Sequence, residues 1–181
     1  MGNYFSPDGN FEVWDEKPNG YFTEEEWYAL HPKPVPSEPT FEEVKARAQT
    51  RIDSATSAAI LAGFEYEVET SEGKEVLHFS YLADDQQNFA DTANGAILAM
   101  QGVEGLPTAV KWNGWRNHTT EYKGDLVRLV LDVSSFLNLY TGGALVHKAT
   151  QMEIGGQRKA AVEAAETVEE IEALMESWCI S

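Results

Sequence analysis

Apolar side chains recur every three or four residues in two long stretches of the chain, and this spacing predicts two long helices. The first seam consists of Phe41, Val44, Ala48, Ile52, Ala55, Ala59 and Ala62. The second seam consists of Leu126, Val130, Val133, Leu137, Tyr140 and Ala144. Narrow seams of this kind pack against one another. We therefore expect a helical hairpin or a small bundle of long helices.

The segment between the two seams has a strand pattern at its start. Apolar and polar residues alternate strictly over residues 64–70 and in part over residues 76–81, and residues 71–74 form a short polar link that contains Gly73. Alternation on both sides of such a link predicts a β-hairpin. Together with the helices, the hairpin places the body in the α+β class.

A further helix is expected after the hairpin, over residues 84–100, with Gly102 as its stop signal. Residues 103–115 then favour a loop. Within that loop, residues 109–112 form a candidate short strand and Asn113–Gly114 a candidate turn.

Three helix starts carry the same signature. Thr23, Thr40 and Thr167 are each followed three residues later by a glutamate. In a capping box, the threonine oxygen and the glutamate carboxylate accept hydrogen bonds from free N–H groups of the first turn. Two glycine pairs, Gly142–Gly143 and Gly155–Gly156, lie in helical sequence and leave two interpretations open. Either the helix breaks there, or the glycines permit close contact with a neighbour.

The first thirty residues are unusually aromatic, with eight aromatic side chains. Two short strands are expected on either side of the turn-forming residues 6–10. So short a segment cannot bury all eight rings, and exposed aromatic patches mark interaction sites. The residues predicted to bind a partner are Tyr4, Phe5, Phe11, Trp14, Tyr21, Phe22 and Trp27.

Four prolines follow this aromatic segment, at positions 32, 34, 36 and 39. Prolines at this density favour an extended polyproline conformation and exclude a helix. We therefore divide the chain into an N-terminal docking arm (residues 1–31), a proline-rich spacer (residues 32–39) and an α+β domain (residues 40–181).

The charge of the chain narrows the range of partners. Thirty acidic residues outnumber thirteen basic ones among the 181, so the formal net charge is −17. Such a surface repels phosphate, and we expect neither nucleic acid nor an anionic membrane as a partner. No apolar run is long enough to span a bilayer, and the N-terminus lacks a secretory signal. The single cysteine, Cys179, is consistent with synthesis in a reducing cytoplasm.

A search for catalytic chemistry finds one polar cluster. The four histidines are scattered, and no glycine-rich loop joins a strand to a helix. Asp84 and Asp85, followed by two glutamines and an asparagine, could act as acid and base or bind a metal. Equally, they suit the first turn of a helix, where they accept hydrogen bonds from free N–H groups. We favour the structural role and predict no catalytic residue, no metal, no cofactor and no enzymatic activity.

Trp112 and Trp115 are a second candidate surface. They flank Asn113–Gly114 and could form an aromatic platform for a sugar or a protein. The alternative is that they cover the open end of a small core.

The order of motifs in the body resembles a bacteriophage tail-associated domain of unknown function, which occurs in tail-fibre and tail-fibre-assembly proteins. The resemblance covers roughly residues 40–178 and rests on residues 78–89 (HFSYLADDQQNF), 110–115 (VKWNGW) and 119–122 (TTEY), followed by a helical pattern. Residues 4–7 (YFSP) are also similar to the start of tail-fibre assembly proteins.

The resemblance implies a bacteriophage tail protein that acts through protein–protein contacts, as a virion component or as an assembly factor. It would be made in the host bacterial cytoplasm and incorporated in the virion tail. Its partners would be other tail or tail-fibre proteins, or a second copy of the chain. Two alternatives remain: an acidic mimic of DNA that inhibits a host enzyme, and a small hydrolase that uses Asp84 or Asp85.

Overall fold

The structure, a computed structural model, describes residues 1–32 and 38–180. The chain divides into two compact units, Met1–Pro39 and Thr40–Ser181, which we call the N-terminal unit and the body. Most of the predicted proline-rich spacer, residues 33–37, lies outside the described residues.

The N-terminal unit is a small antiparallel sheet with one short helix. Its strands are β1 (Gly2–Phe5), β2 (Phe11–Trp14) and β3 (Phe22–Thr23), in the order β2-β1-β3, and its helix is α1 (Glu24–Leu30). The expected turn joins β1 to β2: the Gly9 N–H donates to the Ser6 carbonyl at 2.9 Å, and the Ser6 N–H donates to the Asn10 carbonyl at 2.9 Å. Gly9 has a φ of +84°, a conformation that favours glycine. The predicted pair of strands is confirmed.

The body contains a four-stranded antiparallel sheet. Its strands follow one another in space as in sequence: β4 (Phe64–Thr70), β5 (Gly73–Phe79), β6 (Ala109–Arg116) and β7 (Asp125–Asp132). Strands β4 and β5 form the predicted hairpin, with Phe64 opposite Phe79 at its open end. One face of the sheet is apolar, because alternate residues such as Leu77, Phe79, Leu129 and Leu131 are buried.

The helices of the body are α2 (Phe41–Leu61), α3 (Ala83–Met100), α4 (Val133–Asn138), α5 (Val146–Ala164) and α6 (Val168–Ser177). A π-helical segment, Leu139–Leu145, connects α4 to α5 without a break. The predicted capping boxes are confirmed at Thr23 and Thr40, which form reciprocal boxes with Glu26 and Glu43. At Thr167 only half of the box is present: its hydroxyl accepts from the Glu170 N–H, whereas the Glu170 carboxylate accepts from the Glu166 N–H at 2.8 Å.

Two apolar clusters hold the body together. The larger lies between the apolar face of the sheet and helices α3 and α4, and at its centre Phe79, Phe89 and Phe136 are completely buried. The smaller joins α2 to α5 and α6. Its buried members are Ala48, Ile52, Val162, Ile171 and Met175.

The structure corrects the predicted fold. The α+β class holds, but the expected helical hairpin or bundle of long helices is wrong, because residues Asp125–Asp132 form strand β7. Leu126 and Val130, assigned to a helical seam, lie on the open face of the sheet and are 49% and 69% exposed. The buried residues are instead Leu129 and Leu131, which follow the two-residue period of a strand. The seam of α2 consequently packs on α5 and α6.

The expected turn at Asn113–Gly114 is also wrong. Strand β6 continues through both residues and pairs with β7 along its whole length. Gly114 is buried beneath the hairpin, where a Cβ atom would lie 3.0 Å from Leu77 Cδ1 and 3.3 Å from Phe79 Cε1. Its missing side chain therefore serves close packing within a strand.

The two glycine pairs do not break the helical path. A Cβ atom on Gly143 would lie 2.5 Å from Cε2 of the Phe64 ring. A Cβ atom on Gly155 would collide with Thr56 Oγ1 of α2, whereas one on Gly156 would meet nothing within 4 Å. At least one glycine of each pair therefore permits close contact, which is the second of the two interpretations.

Candidate functional site

The predicted docking residues belong to a small folded unit. Phe5 is its most buried apolar residue, with 9% of its surface exposed. The Phe5 ring stacks on Trp27 at 5.2 Å between centroids and meets Phe11 edge-on at 5.3 Å. Trp27 stacks in turn on His31 at 3.9 Å and contacts Phe22 at 5.7 Å. Among the predicted residues, Phe5 and Trp27 thus hold the unit together.

The outer strand β2 presents the main apolar surface of the unit. Phe11, Val13 and Trp14 are 54%, 57% and 46% exposed. Strand β2 is the edge of the three-stranded sheet, so within the described residues one side of its backbone has no strand beside it. We use the name β2 edge for the surface that residues 11–14 form with their exposed side chains and their unpaired backbone side.

The hydrogen-bonding side of each β2 residue follows from its register. The Ser6 N–H donates to the Asn10 carbonyl, and Tyr4 lies opposite Glu12. Hydrogen-bonded and non-hydrogen-bonded pairs alternate along an antiparallel ladder. The Glu12 backbone therefore bonds to β1, whereas the N–H and C=O groups of Phe11 and Val13 point away from β1.

Two further predicted residues lie elsewhere on the same unit. Tyr21 and Phe22 line a shallow cleft of about 440 Å³ together with Leu30. The Tyr21 hydroxyl donates to Glu12 at 3.3 Å, and the Trp14 indole N–H donates to the same carboxylate at 3.0 Å. Tyr4 is half-buried in the central strand.

Sequence reasoning missed two apolar residues on the surface of this unit. Val13 alternates with the polar Glu12 in β2, and Leu30 ends α1, where it is 64% exposed. Strand alternation was the signal that could have identified Val13. For Leu30 the sequence carries no comparable signal.

The polar cluster of the body begins helix α3. The Asp85 carboxylate accepts a hydrogen bond from the Leu82 N–H at 3.1 Å and another from the Ser80 hydroxyl. Gln86 donates its side-chain amide to the Tyr81 carbonyl at 3.2 Å, and it accepts from Lys148 at 2.9 Å. Asp85 therefore has the helix-capping role that the sequence favoured. Asp84 is exposed.

Trp112 and Trp115 have different surroundings. The Trp112 ring lies 4.3 Å from Phe89 and 5.2 Å from Phe136, so it belongs to the larger apolar cluster. Trp115 is half-buried, and the Lys123 ammonium lies 4.9 Å from its ring centroid. Trp112 therefore belongs to the core, whereas Trp115 lies outside it.

Two of the scattered histidines meet on the body. The rings of His78 and His118 stack at 3.5 Å. Burial of the His78 imidazole, and then the positive charge of His118, lower its pKa, against the opposing effect of Glu65. Within residues 1–32 and 38–180, no three His, Cys, Asp or Glu side chains converge in a way that would hold a metal ion.

Several carboxylates of the body are engaged by the fold itself. Glu75 accepts two hydrogen bonds from Arg116, which hold the pKa of that carboxyl below its usual range. Glu67 pairs with Lys74 at 3.0 Å, and Asp132 caps α4 through the Ser135 N–H at 2.7 Å. Each of these acids thus serves a separate local structure.

Comparison with known proteins finds no matching family model, no matching curated protein and no matching solved structure. Across the described part of the chain, no helix is both long enough and apolar enough to cross a membrane.

Proposed function

We propose that this chain acts through protein–protein contacts and that the β2 edge is its docking surface. The observation that carries the proposal is the exposure of Phe11, Val13 and Trp14 on an edge strand. Apolar edge strands attract other strands, and monomeric proteins protect them with charges, prolines or covering elements. An edge that combines apolar side chains with free backbone groups therefore suits a partner.

The mode of docking that fits this edge is the addition of a strand. A partner strand that pairs with β2 would bond to the outward N–H and C=O groups of Phe11 and Val13. Its side chains would then pack beside Phe11, Val13 and Trp14. Backbone pairing would contribute affinity, and the aromatic rings would contribute selectivity.

The setting that we propose is the tail of a bacteriophage, with another tail or tail-fibre protein as the partner. Support comes from the motifs within residues 78–122 and from the YFSP segment at residues 4–7, both of which resemble phage tail proteins. The chain would be a tail component or a factor that assists fibre assembly.

A pair of substitutions at Val13 tests this proposal. Val13→Pro removes an outward N–H while keeping an apolar side chain, and proline is tolerated on edge strands whose N–H faces outward. Val13→Thr keeps the N–H and the β-branched shape, and serves as the matched control. Both variants would be introduced into the phage gene, and the chain in purified particles would be quantified by mass spectrometry. Circular dichroism and soluble yield would establish that each variant folds.

If the chain is a tail component, we expect the wild-type and Val13→Thr chains in the particles. The amount of Val13→Pro chain per particle should be lower by at least about tenfold. For an assembly factor, the chain would be absent from all particles, but Val13→Pro phage would produce particles with defective tails. Normal titre and normal chain content in the Val13→Pro phage would show that the β2 edge is not a docking surface.

A further inference from the structure

A groove in the body brings together two features that are separate in the sequence. It has a volume of about 360 Å³ and lies between helix α3 and strand β6. Its lining residues are Ser80, Asp85, Asn88, Thr92, Lys111, Trp112, Asn113 and Trp115. We call it the α3–β6 groove. The polar start of α3 thus forms one wall, and the tryptophan-bearing strand forms the other.

The path of the chain explains why the groove is open. Strands β5 and β6 are paired at His78 and Trp115, so the first half of β6 lies beside the start of α3. On α3, Asp85, Asn88 and Thr92 are three and four residues apart and therefore share one face of the helix. That face and the β6 residues Lys111 and Asn113 line opposite sides of the groove.

Most of the polar groups in the groove are not used by the fold. Among the described residues, the side chains of Asn88, Thr92, Lys111 and Asn113 make no hydrogen bond or ion pair with the protein. Asp85 and Ser80 differ, because the Asp85 carboxylate caps α3 and accepts a hydrogen bond from the Ser80 hydroxyl. The two asparagines each offer a carbonyl acceptor and two N–H donors. Such amides match the hydroxyl groups of a polyol, since each hydroxyl both donates and accepts.

The aromatic surface of the groove comes from Trp112 and Trp115, which are both half-buried. Trp112 packs against Phe89 and Phe136, whereas Trp115 lies outside that cluster and has the Lys123 ammonium 4.9 Å from its ring centroid. A tryptophan ring combines a flat apolar face with little conformational freedom to lose on binding. A flat apolar face beside uncommitted amides suits a ligand that has apolar C–H faces and a rim of hydroxyls.

We propose that the α3–β6 groove binds a neutral saccharide. Trp115 would stack on a sugar ring with the face opposite the Lys123 ammonium, and Asn88 and Asn113 would bond to the sugar hydroxyls. The groove volume falls at the lower end of the roughly 300–1,000 Å³ typical of ligand clefts. A neutral ligand fits better than an acidic one, because the chain carries a net charge of −17 and Lys111 is the only cationic residue in the groove.

The test uses the full chain and a printed array of neutral bacterial and plant oligosaccharides, with a polyanionic polysaccharide and a peptide array for comparison. Array hits would be titrated by calorimetry and by ¹⁵N NMR, in which each of the five tryptophans gives an indole signal. We expect saturable binding of a neutral oligosaccharide that shifts the Trp115 indole signal. The indole signal that is missing from the spectrum of Trp115→Ala is the Trp115 signal.

A matched pair of α3 variants identifies the groove. Asn88→Ala removes a lining amide, whereas Asn94→Ala removes an exposed amide of the same helix outside the groove. We expect at least a tenfold loss of affinity with Asn88→Ala and no change with Asn94→Ala. The proposal is wrong if no neutral oligosaccharide binds with a Kd of about 1 mM or lower, which corresponds to a binding free energy of roughly 4 kcal/mol. It is also wrong if Asn88→Ala binds as well as wild type, or if the groove residues respond only to the polyanion or to peptides.

Discussion

The N-terminal unit and the body start their helices in the same way, yet they differ in what lies beneath those helices. Thr23 and Glu26 form a capping box in the unit, and Thr40 and Glu43 form the same box in the body. In the body, Phe79, Phe89 and Phe136 are completely buried. In the N-terminal unit, no residue of α1 is buried, and 9% of the Phe5 surface is exposed.

The size of each region decides whether its aromatic residues are buried or exposed. A short segment cannot enclose several rings, because too few residues are available to cover them. In the N-terminal unit, Phe11 and Trp14 consequently remain exposed, and this surface is what we assign to a partner. In the body, aromatic residues such as Phe89 are buried, and their burial stabilises the fold.

The largest effect is expected at the centre of the body. Phe89→Ala should lower the free energy of unfolding by about 3–5 kcal/mol, because it leaves a cavity among buried rings. Leu98→Ala on the same helix is the control. Leu98 is 45% exposed, and its truncation should cost much less. Urea unfolding followed by circular dichroism measures both, and equal losses would contradict the central role of Phe89.

Smaller changes in the free energy of unfolding, of opposite sign, are expected for alanine substitutions at two helical glycines. Gly143→Ala should destabilise the body by about 1–3 kcal/mol, because the new methyl group would press against the Phe64 ring. Gly156→Ala meets open space and should stabilise α5 by roughly 1 kcal/mol, since alanine is the better helix former. Thermal unfolding of the two variants should therefore shift in opposite directions. Shifts in the same direction would refute the close contact at Gly143.

The shared capping box allows a direct comparison of the two regions. Thr40→Ala and Thr23→Ala each remove an oxygen that accepts a hydrogen bond from the third residue of a helix, at a cost of about 0.5–2 kcal/mol. In the body this should be a modest loss. In the N-terminal unit it should be a larger fraction of the total stability, because so little apolar surface is buried there. Amide hydrogen exchange in α1 and α2 measures both, and exchange that accelerates equally in the two helices would remove the contrast.

The smallest effect is expected from pH. The pKa of His78 is lowered in the folded body, mainly by burial and then by the charge of His118, so the unfolded chain binds the proton more readily. Stability is therefore fully present above the unfolded pKa of about 6.5 and falls as the pH drops below it. His78→Gln should flatten this dependence between pH 7.5 and 5.5. Urea unfolding at several pH values measures the slope, and an unchanged slope in the variant would contradict the prediction.

Local signals in the sequence predicted those parts of the body that depend on neighbouring residues. The capping box at Thr40, the stop at Gly102 and the alternation through Phe64 and Val68 each specify structure within a few positions. Strand β7 was misassigned because its apolar run satisfies two periods at once. Leu126 and Val130 are four residues apart, whereas Leu129 and Leu131 are two apart. Pairing with β6 decides between them, and that partner is distant in the sequence.

The sites show the same limit. An excess of aromatic residues near the N-terminus was visible in the sequence, but the register that covers Phe5 and exposes Phe11 and Trp14 was not. In the body, the sequence identifies both walls of the α3–β6 groove, but only as separate features. Their proximity depends on β6 running straight through Gly114, whereas the sequence indicated a turn there.

The π-helical segment sets the rotational phase between the two ends of one long helical rod. A segment bonded from residue i to residue i+5 accommodates one more residue than an α-helical turn, which offsets the following helix by roughly 100°. Before it, Phe136 faces the sheet, and after it, Val162 faces α2. A one-residue deletion within 139–145 that returns the segment to α-helical geometry would remove the extra residue and leave Phe136 and Val162 facing their clusters. A one-residue deletion in the α-helical part of α5 would instead rotate Val162 by about 100° away from α2. The π-helical segment is thus the part of this rod in which the chain can lose a residue and keep its packing.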